Sequence, residues 1–210
     1  MASVNRRSVM TLFTSPDRPE CHRTRIVLAE KELTADIIEI TSNNVPEDFR
    51  DLSPNGDLPT LADRDLVLTN ARVIMEYLDE RFPHPPLMPI DPVSRAKVRT
   101  ALYRIEKDWF GLLPDFERGE RTVAKARKQL KESILSLSPV FAAMPFFMSE
   151  EFSLADVTVA TILWRLPVYN IDLSGPKSKP IQDYMKRIFN RPTFQLSLTE
   201  IEREMRPDWI

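Results

Sequence analysis

Cysteine is almost missing from this chain: Cys21 is the single one in 210 residues, so no disulfide can close within it. One cysteine and two histidines give no zinc-ligand spacing, and a metal-free, cofactor-free protein of a reducing, cytoplasmic compartment is expected. Charge of one sign is lacking too. Lys plus Arg number 29 against 31 Asp plus Glu, and the net charge of −2 gives no general pull toward nucleic acid or an anionic membrane. A partner must be recognised locally. No apolar run is long enough to span a bilayer, and Met1 to Ser8, with Arg6 and Arg7, has no apolar stretch of signal-peptide length behind it. Solenoid repeats and low-complexity segments are also missing. The 42% of apolar residues suffices for one large or two small buried cores.

Proline, by contrast, is concentrated. Ile74, Tyr77, Leu78 and Phe82 fall at helical spacing, and Pro83 stops that helix because it lacks an amide donor and disfavours helical geometry before it. Pro83, Pro85, Pro86 and Pro89 are four prolines in seven residues, a stiff ledge expected to expose its carbonyls and the imidazole of His84. Composition alone reads it as an interdomain linker. The alternative is a recognition surface, already shaped and therefore losing little entropy on binding.

Before the ledge, Ser8 to Thr14 alternates as a strand, Ser15 to Pro19 is a loop, and His22 to Lys31 is helical around Ile26, Val27 and Leu28. Ala35 to Ile40 returns to a strand, and strand-helix-strand with a helical crossover implies a parallel, right-handed unit. Pro46 to Leu52 is a short helix with Pro46 in its first turn; Asn55-Gly56 marks a turn; Thr60 to Ala62 and Leu66 to Leu68 form a hairpin. The helix Ala71 to Arg81 completes a β-α-β, β-β-α order. Arg6, Arg7, Arg23 and Arg25 read as solvated surface positions.

After the ledge the chain is helical. Ser94 to Leu113 buries Leu102, Ile105, Trp109 and Leu112, and Pro114 kinks or ends it. Val123 to Ala143 follows, bent at Pro139. Ser153-Leu154-Ala155-Asp156 has capping-box spacing, so Ser153 and Asp156 are expected to satisfy each other's amides at a buried helix start. The helix Val157 to Leu166 is apolar nearly all round and must be central. Helices Ile181 to Asn190 and Thr193 to Met205 end the chain.

The strand order, the turn and proline before the third strand, and Arg25 to Lys31 resemble the thioredoxin-like domain of the glutathione transferase superfamily. The Ser153/Asp156 pair resembles the opening of its core helix in the all-helical domain. The resemblance implies an α/β thioredoxin-like domain over 1–87, a linker over 88–93 and an all-α domain over 94–210. It also implies a cis Pro59, with Leu58 offering its backbone to the cysteinyl part of glutathione. An enzyme of that kind needs a thiolate-stabilising group, yet Arg18 stands where some classes carry cysteine and Cys21 lies a turn further on. Thr14 and Ser15 are weak hydroxyl candidates. Asn70-Ala71 stands where the family usually has Glu or Gln followed by Ser, so the hydroxyl that would grip the γ-glutamyl carboxylate is lost. Leu58, Pro59, Asn70 and Ala71 therefore read as a vestigial glutathione site; a glutathione-dependent enzyme is the alternative.

Several longer segments are similar to the stringent starvation protein A family of bacterial transcription regulators: Arg7 to Phe13, Arg25 to Lys31, Ile74 to Pro89, Arg104 to Trp109, Trp164 to Pro167 and Leu198 to Met205. This resemblance implies a non-enzymatic homodimer, or a heterodimer with a related chain, that associates with RNA polymerase holoenzyme near its sigma factor in starvation and acid stress. Neither a membrane nor direct DNA binding as the main interaction is expected. The family's Pro-His-Pro surface falls on Pro83, His84 and Pro85, with Pro86 beside it and Tyr77 and Lys107 nearby.

Overall fold

The structure, a computed structural model, describes residues 9–207. The readings made for Arg6, Arg7, Ser8 and the leader segment lie outside these residues. Two compact units are present, one of residues up to Pro85 with Leu196–Ile201, the other of Pro86–Gln195 with Glu202 onward. The division falls between Pro85 and Pro86, ahead of the expected linker at 88–93.

In the first unit, β1 (Thr11–Thr14), α1 (Pro19–Glu30), β2 (Asp36–Glu39), α2 (Glu47–Leu52), β3 (Thr60–Asp63), β4 (Leu66–Leu68) and α3 (Ala71–Arg81) follow in order. The sheet runs β2-β1-β3-β4, with β1 parallel to β2 and antiparallel to β3, and β3 antiparallel to β4. A helix-length crossover explains the parallel pair, and the two residues Arg64 and Asp65 explain the hairpin. Leu12 pairs with Ile37 on one side and Leu61 on the other, so β1 is central and buried. Helices α1 and α3 pack together, with Ile26, Val27, Ile74, Met75 and Leu78 buried.

The helix begins earlier than the apolar pattern shows, at Pro19, which needs no amide partner in a first turn. Arg23 and Arg25 are not solvated. Both are buried, and Arg25 donates from Nη1 to Thr14 Oγ1 and from Nε to the carbonyl of Ser197 at 3.0 Å. Their charge hid a helix that is buried on almost every side.

The second unit contains α4 (Pro92–Asp108), a 3₁₀ segment (Phe110–Glu117), α5 (Glu120–Ser136), α6 (Ser138–Ala143), α7 (Leu154–Trp164), α8 (Lys179–Phe189) and the start of α9 (Pro192–Ser197); α10 (Glu200–Glu204) closes the described chain. Every residue of α7 is buried, as its apolar composition requires, and α4 and α8 pack against it. The expected helix to Leu113 is shorter: α4 stops at Asp108, and the 3₁₀ segment accommodates Pro114. The helix over 123–143 is two helices, since Pro139 serves in the first turn of α6 instead of bending one rod. The last helix likewise breaks between Ser197 and Glu200.

At the head of α7 the capping box forms as its spacing predicts. Ser153 N donates to Asp156 Oδ2 at 2.9 Å, and Ser153 Oγ accepts from the first-turn amides. Asp156 Oδ1 also accepts from Phe147 N at 2.7 Å and Tyr184 Oη at 2.8 Å, which ties α7 to the 147 loop and to α8. At the other end of α7, Arg165 forms a fully buried ion pair with Glu202, and Trp164 Nε1 donates to the carbonyl of Glu202 at 2.8 Å. Thus two separated sequence segments, 164–167 and the tail, meet as one polar clasp.

Candidate functional site

The residues after α3 form the ledge. Phe82 is the C-cap of α3, Pro83, His84, Pro85 and Pro86 are exposed, and Leu87 and Met88 turn inward. The His84–Pro85 bond is cis. Three of the ledge's carbonyls, those of Pro85, Leu87 and Pro89, are taken up within the protein, as is that of Phe82 before it. Phe82 O and Pro85 O accept from Lys31 Nζ, the first at 2.7 Å; Leu87 O accepts from Leu154 N at 2.9 Å and Pro89 O from Arg95 Nε at 3.1 Å. Among the side chains, the ledge presents pyrrolidine rings and one imidazole. His84 makes no hydrogen bond to another described residue, so its ring nitrogens are available outward.

Sequence reasoning missed the group beneath it. Lys31 follows α1, its side chain is fully buried, and its ammonium also donates to Asp79 Oδ1 at 2.6 Å. The signal lay in the helical pattern: Asp79 occupies the stripe of Met75, and Lys31 that of Val27, positions where apolar residues are the rule.

Tyr77 is half-buried, and its hydroxyl is engaged within the first unit. It donates to Asp63 Oδ2 at 2.7 Å, and Arg81 Nε reaches the same oxygen at 3.2 Å. Burial, then the hydrogen bond to Asp63, raises the Tyr77 pKa, so the phenol stays a donor at neutral pH. The Arg81 guanidinium lies 5.4 Å from the Phe82 ring centroid, so this cluster braces the end of α3. Lys107 is exposed near the end of α4 in the second unit.

Of the residues matched to the glutathione site, Leu58 and Pro59 keep the expected cis bond, whereas Asn70 is engaged in its own helix. The Leu58–Pro59 bond is cis, with Pro59 buried. Asn70 caps α3, its Oδ1 accepting from Arg72 N at 2.9 Å and Val73 N at 3.3 Å. These are amides that a ligand carboxylate would otherwise meet at the helix N-terminus, and Ala71 adds no hydroxyl. Arg18 is exposed without capping α1 through its side chain. Cys21 is completely buried, and desolvation raises its thiol pKa, the opposite of what a nucleophilic thiolate needs. Thr14 and Ser15 are buried, and the Thr14 hydroxyl already accepts from Arg25.

Within the second unit a cavity of about 840 Å³ runs along α4, lined by Ala96, Thr100, Arg104, Trp109, Leu137 and Met148 among others. No Cys or His lines it, so it offers neither thiolate nor imidazole. Among the described residues no group of three or more His, Cys, Asp and Glu could hold a metal ion, and no helix is long and apolar enough to cross a membrane.

Residues 8–80 match the family described as glutathione S-transferase, N-terminal domain, and residues 101–192 the corresponding C-terminal domain. A tau-class glutathione S-transferase from mango, Mangifera indica, superposes with a TM-score of 0.80 at 21% identity, covering 96% of this chain and 97% of that one. Fold and matched domains together define a glutathione transferase-type protein, an α/β thioredoxin-like domain followed by an all-α domain. Stringent starvation protein A homologs from Pasteurella multocida and Coxiella burnetii are 52% and 44% identical, over 94% and 96% of this chain and 93% and 97% of theirs. The chain belongs to the stringent starvation protein A family.

Proposed function

We propose that this chain is a transcription-regulatory adaptor of the cytoplasm, not a glutathione-conjugating enzyme. As a homodimer, or paired with a related chain, it associates with RNA polymerase holoenzyme near the sigma factor and alters promoter choice in starvation and acid stress. The contact surface is Pro83, His84, Pro85 and Pro86, with Tyr77 and Lys107 as further contacts. The observation that carries this reading is the ledge: exposed proline rings and one outward imidazole, with the Phe82 and Pro85 carbonyls on either side of Pro83 and His84 held by Lys31. Such a surface supplies apolar contact and a single directed hydrogen bond, and a few anchors of that kind dominate ordinary interfaces. The near-neutral charge supports protein over DNA as the main partner, since counterion release needs clustered cations.

The test is retention of purified holoenzyme on immobilised protein. Wild type is expected to hold it, and the triple substitution of Pro83, His84 and Pro85 by Ala to lose most of it. Binding that survives the triple substitution sinks the assigned surface; no binding by wild type sinks the function.

A further inference from the structure

An ammonium has three N–H donors and no acceptor. In Lys31 all three have partners: Asp79 Oδ1 at 2.6 Å, Phe82 O at 2.7 Å and Pro85 O. Only the first of these carries charge. The other two are backbone carbonyls three residues apart, bracketing Pro83 and His84. One nitrogen thus fastens the chain at both ends of this dipeptide, and both intervening side chains are exposed. Lys31 itself is anchored, since its backbone N–H donates to Val27 O at 3.0 Å at the end of α1 and its side chain is fully buried. Asp79 sits buried on α3.

We infer that Lys31 is the positioning residue of the ledge: it holds Pro83 and His84 outward in the geometry a partner reads, and it does so through the Phe82 and Pro85 carbonyls, with Asp79 only neutralising its charge. The inference rests on the proposed role of the ledge but makes a claim about the free protein as well. Without the ammonium, two carbonyls lose their donor, and the residues between them are no longer pinned to α1. The ordering of Pro83 and His84 is then lost before binding and has to be recovered during it, which weakens affinity. A plain buried ion pair would behave differently, because its whole role would be exhausted by the Lys31–Asp79 contact.

Two variants separate these roles. Lys31→Met with Asp79→Leu replaces both charges by apolar groups of similar size, an exchange that buried pairs often tolerate without loss of stability. Asp79→Asn removes the charge pair but leaves the ammonium its two carbonyls. The measurements are melting temperature, holoenzyme affinity and the ¹⁵N order parameter of the His84 amide, the one N–H between Pro83 and Pro85. In the double variant the melting temperature is expected to stay within a few degrees of wild type, the order parameter to fall from about 0.85 to below about 0.6, and affinity to drop tenfold or more. In Asp79→Asn the melting temperature falls while order parameter and affinity hold.

An order parameter unchanged in the double variant, or lowered equally in Asp79→Asn, overturns the positioning role. If the double variant does not fold, Asp79→Asn decides alone: an order parameter below about 0.6 overturns the positioning role, and one held near about 0.85 supports it. If wild type fails to bind holoenzyme, the functional reading falls, and the order parameters still decide the part played by Lys31. If wild type binds, the double variant must lose affinity; an affinity equal to wild type overturns the inference.

Discussion

The Tyr184 hydroxyl donates to Asp156 Oδ1 at 2.8 Å, and both residues are buried. Burial pushes the Asp156 carboxyl up to about 6 from an ordinary 3.8, while the amides of Phe147 and Ser153 and the Tyr184 hydroxyl pull it back down. The native state therefore binds a proton more readily than the unfolded chain between these values. Its contribution to stability is present at acid pH and is lost as pH rises through 6.

Replacing Asp156 by Asn removes that proton linkage and sets an amide NH₂ against backbone donors. The variant is destabilised at every pH, and its deficit relative to wild type is larger at pH 5 than at pH 7 by about 1 kcal/mol. Urea titrations at the two pH values measure it. A deficit independent of pH would show that Asp156 stays ionised in the fold. Tyr184→Phe should cost about 1–2 kcal/mol at pH 7 and less at pH 5, because the hydroxyl favours the charged form.

The clasp between Arg165 and Glu202 gives a second expectation. Side-chain exposure is 2% for Arg165 and 0% for Glu202, so neither charge has solvent to fall back on. Glu202→Ala should cost about 3–5 kcal/mol by stranding a guanidinium in the core. Pairing Arg165→Met with Glu202→Leu should recover more than half of that, since well-packed apolar replacements avoid the desolvation penalty. Chemical denaturation of the single and double variants checks both values. Equal loss in the two would mean that Arg165 acts chiefly through its bond to the Thr161 carbonyl, 3.2 Å away.

How legible was this in the sequence? Periodicity and turn chemistry gave the strand order, the hairpin and the capping box, because Leu12, Leu61 and Asp156 sit in patterns set by local geometry. The central apolar helix was equally plain. Helix ends were less so: Pro114 and Pro139 mark interruptions, but only packing decides between a kink, a 3₁₀ segment and a fresh start. The ledge was visible as prolines, yet the direction of the Pro85 carbonyl was not, since that depends on Lys31, more than 50 residues away. Buried charges were the main blind spot. Arg23 and Arg25 read as surface residues, yet Arg25 has its partners at Thr14 and Ser197, contacts that exist only after the chain folds back on itself.

Glutathione binding can be predicted from Asn70. Its side chain holds two amides at the start of α3, and the next residue, Ala71, is buried without a hydroxyl. Glutathione at 10 mM should leave the melting temperature of wild type unchanged, whereas a ligand bound a hundredfold below its concentration would add about 2.7 kcal/mol. Asn70→Glu with Ala71→Ser restores the acceptor and hydroxyl and should produce a measurable rise. A clear shift in wild type would revive the enzymatic reading.

His84 is the sharpest test of the surface. Its side chain is exposed and makes no hydrogen bond to another described residue, so His84→Ala should change folding stability by no more than about 0.5 kcal/mol. Its contribution to recognition is a different quantity. As the one polar group between Pro83 and Pro85, it fixes orientation where the prolines give only apolar contact, and truncating such an anchor costs about 1–2 kcal/mol. Holoenzyme affinity should therefore fall roughly 5- to 30-fold. His84→Gln keeps a donor and an acceptor at a similar reach and should regain part of the loss, whereas His84→Phe keeps the ring area alone and should not. Equilibrium binding of the three variants, beside their melting curves, separates a directed hydrogen bond from bulk contact. If His84→Phe binds as well as wild type, the ledge acts through apolar area and the imidazole is incidental.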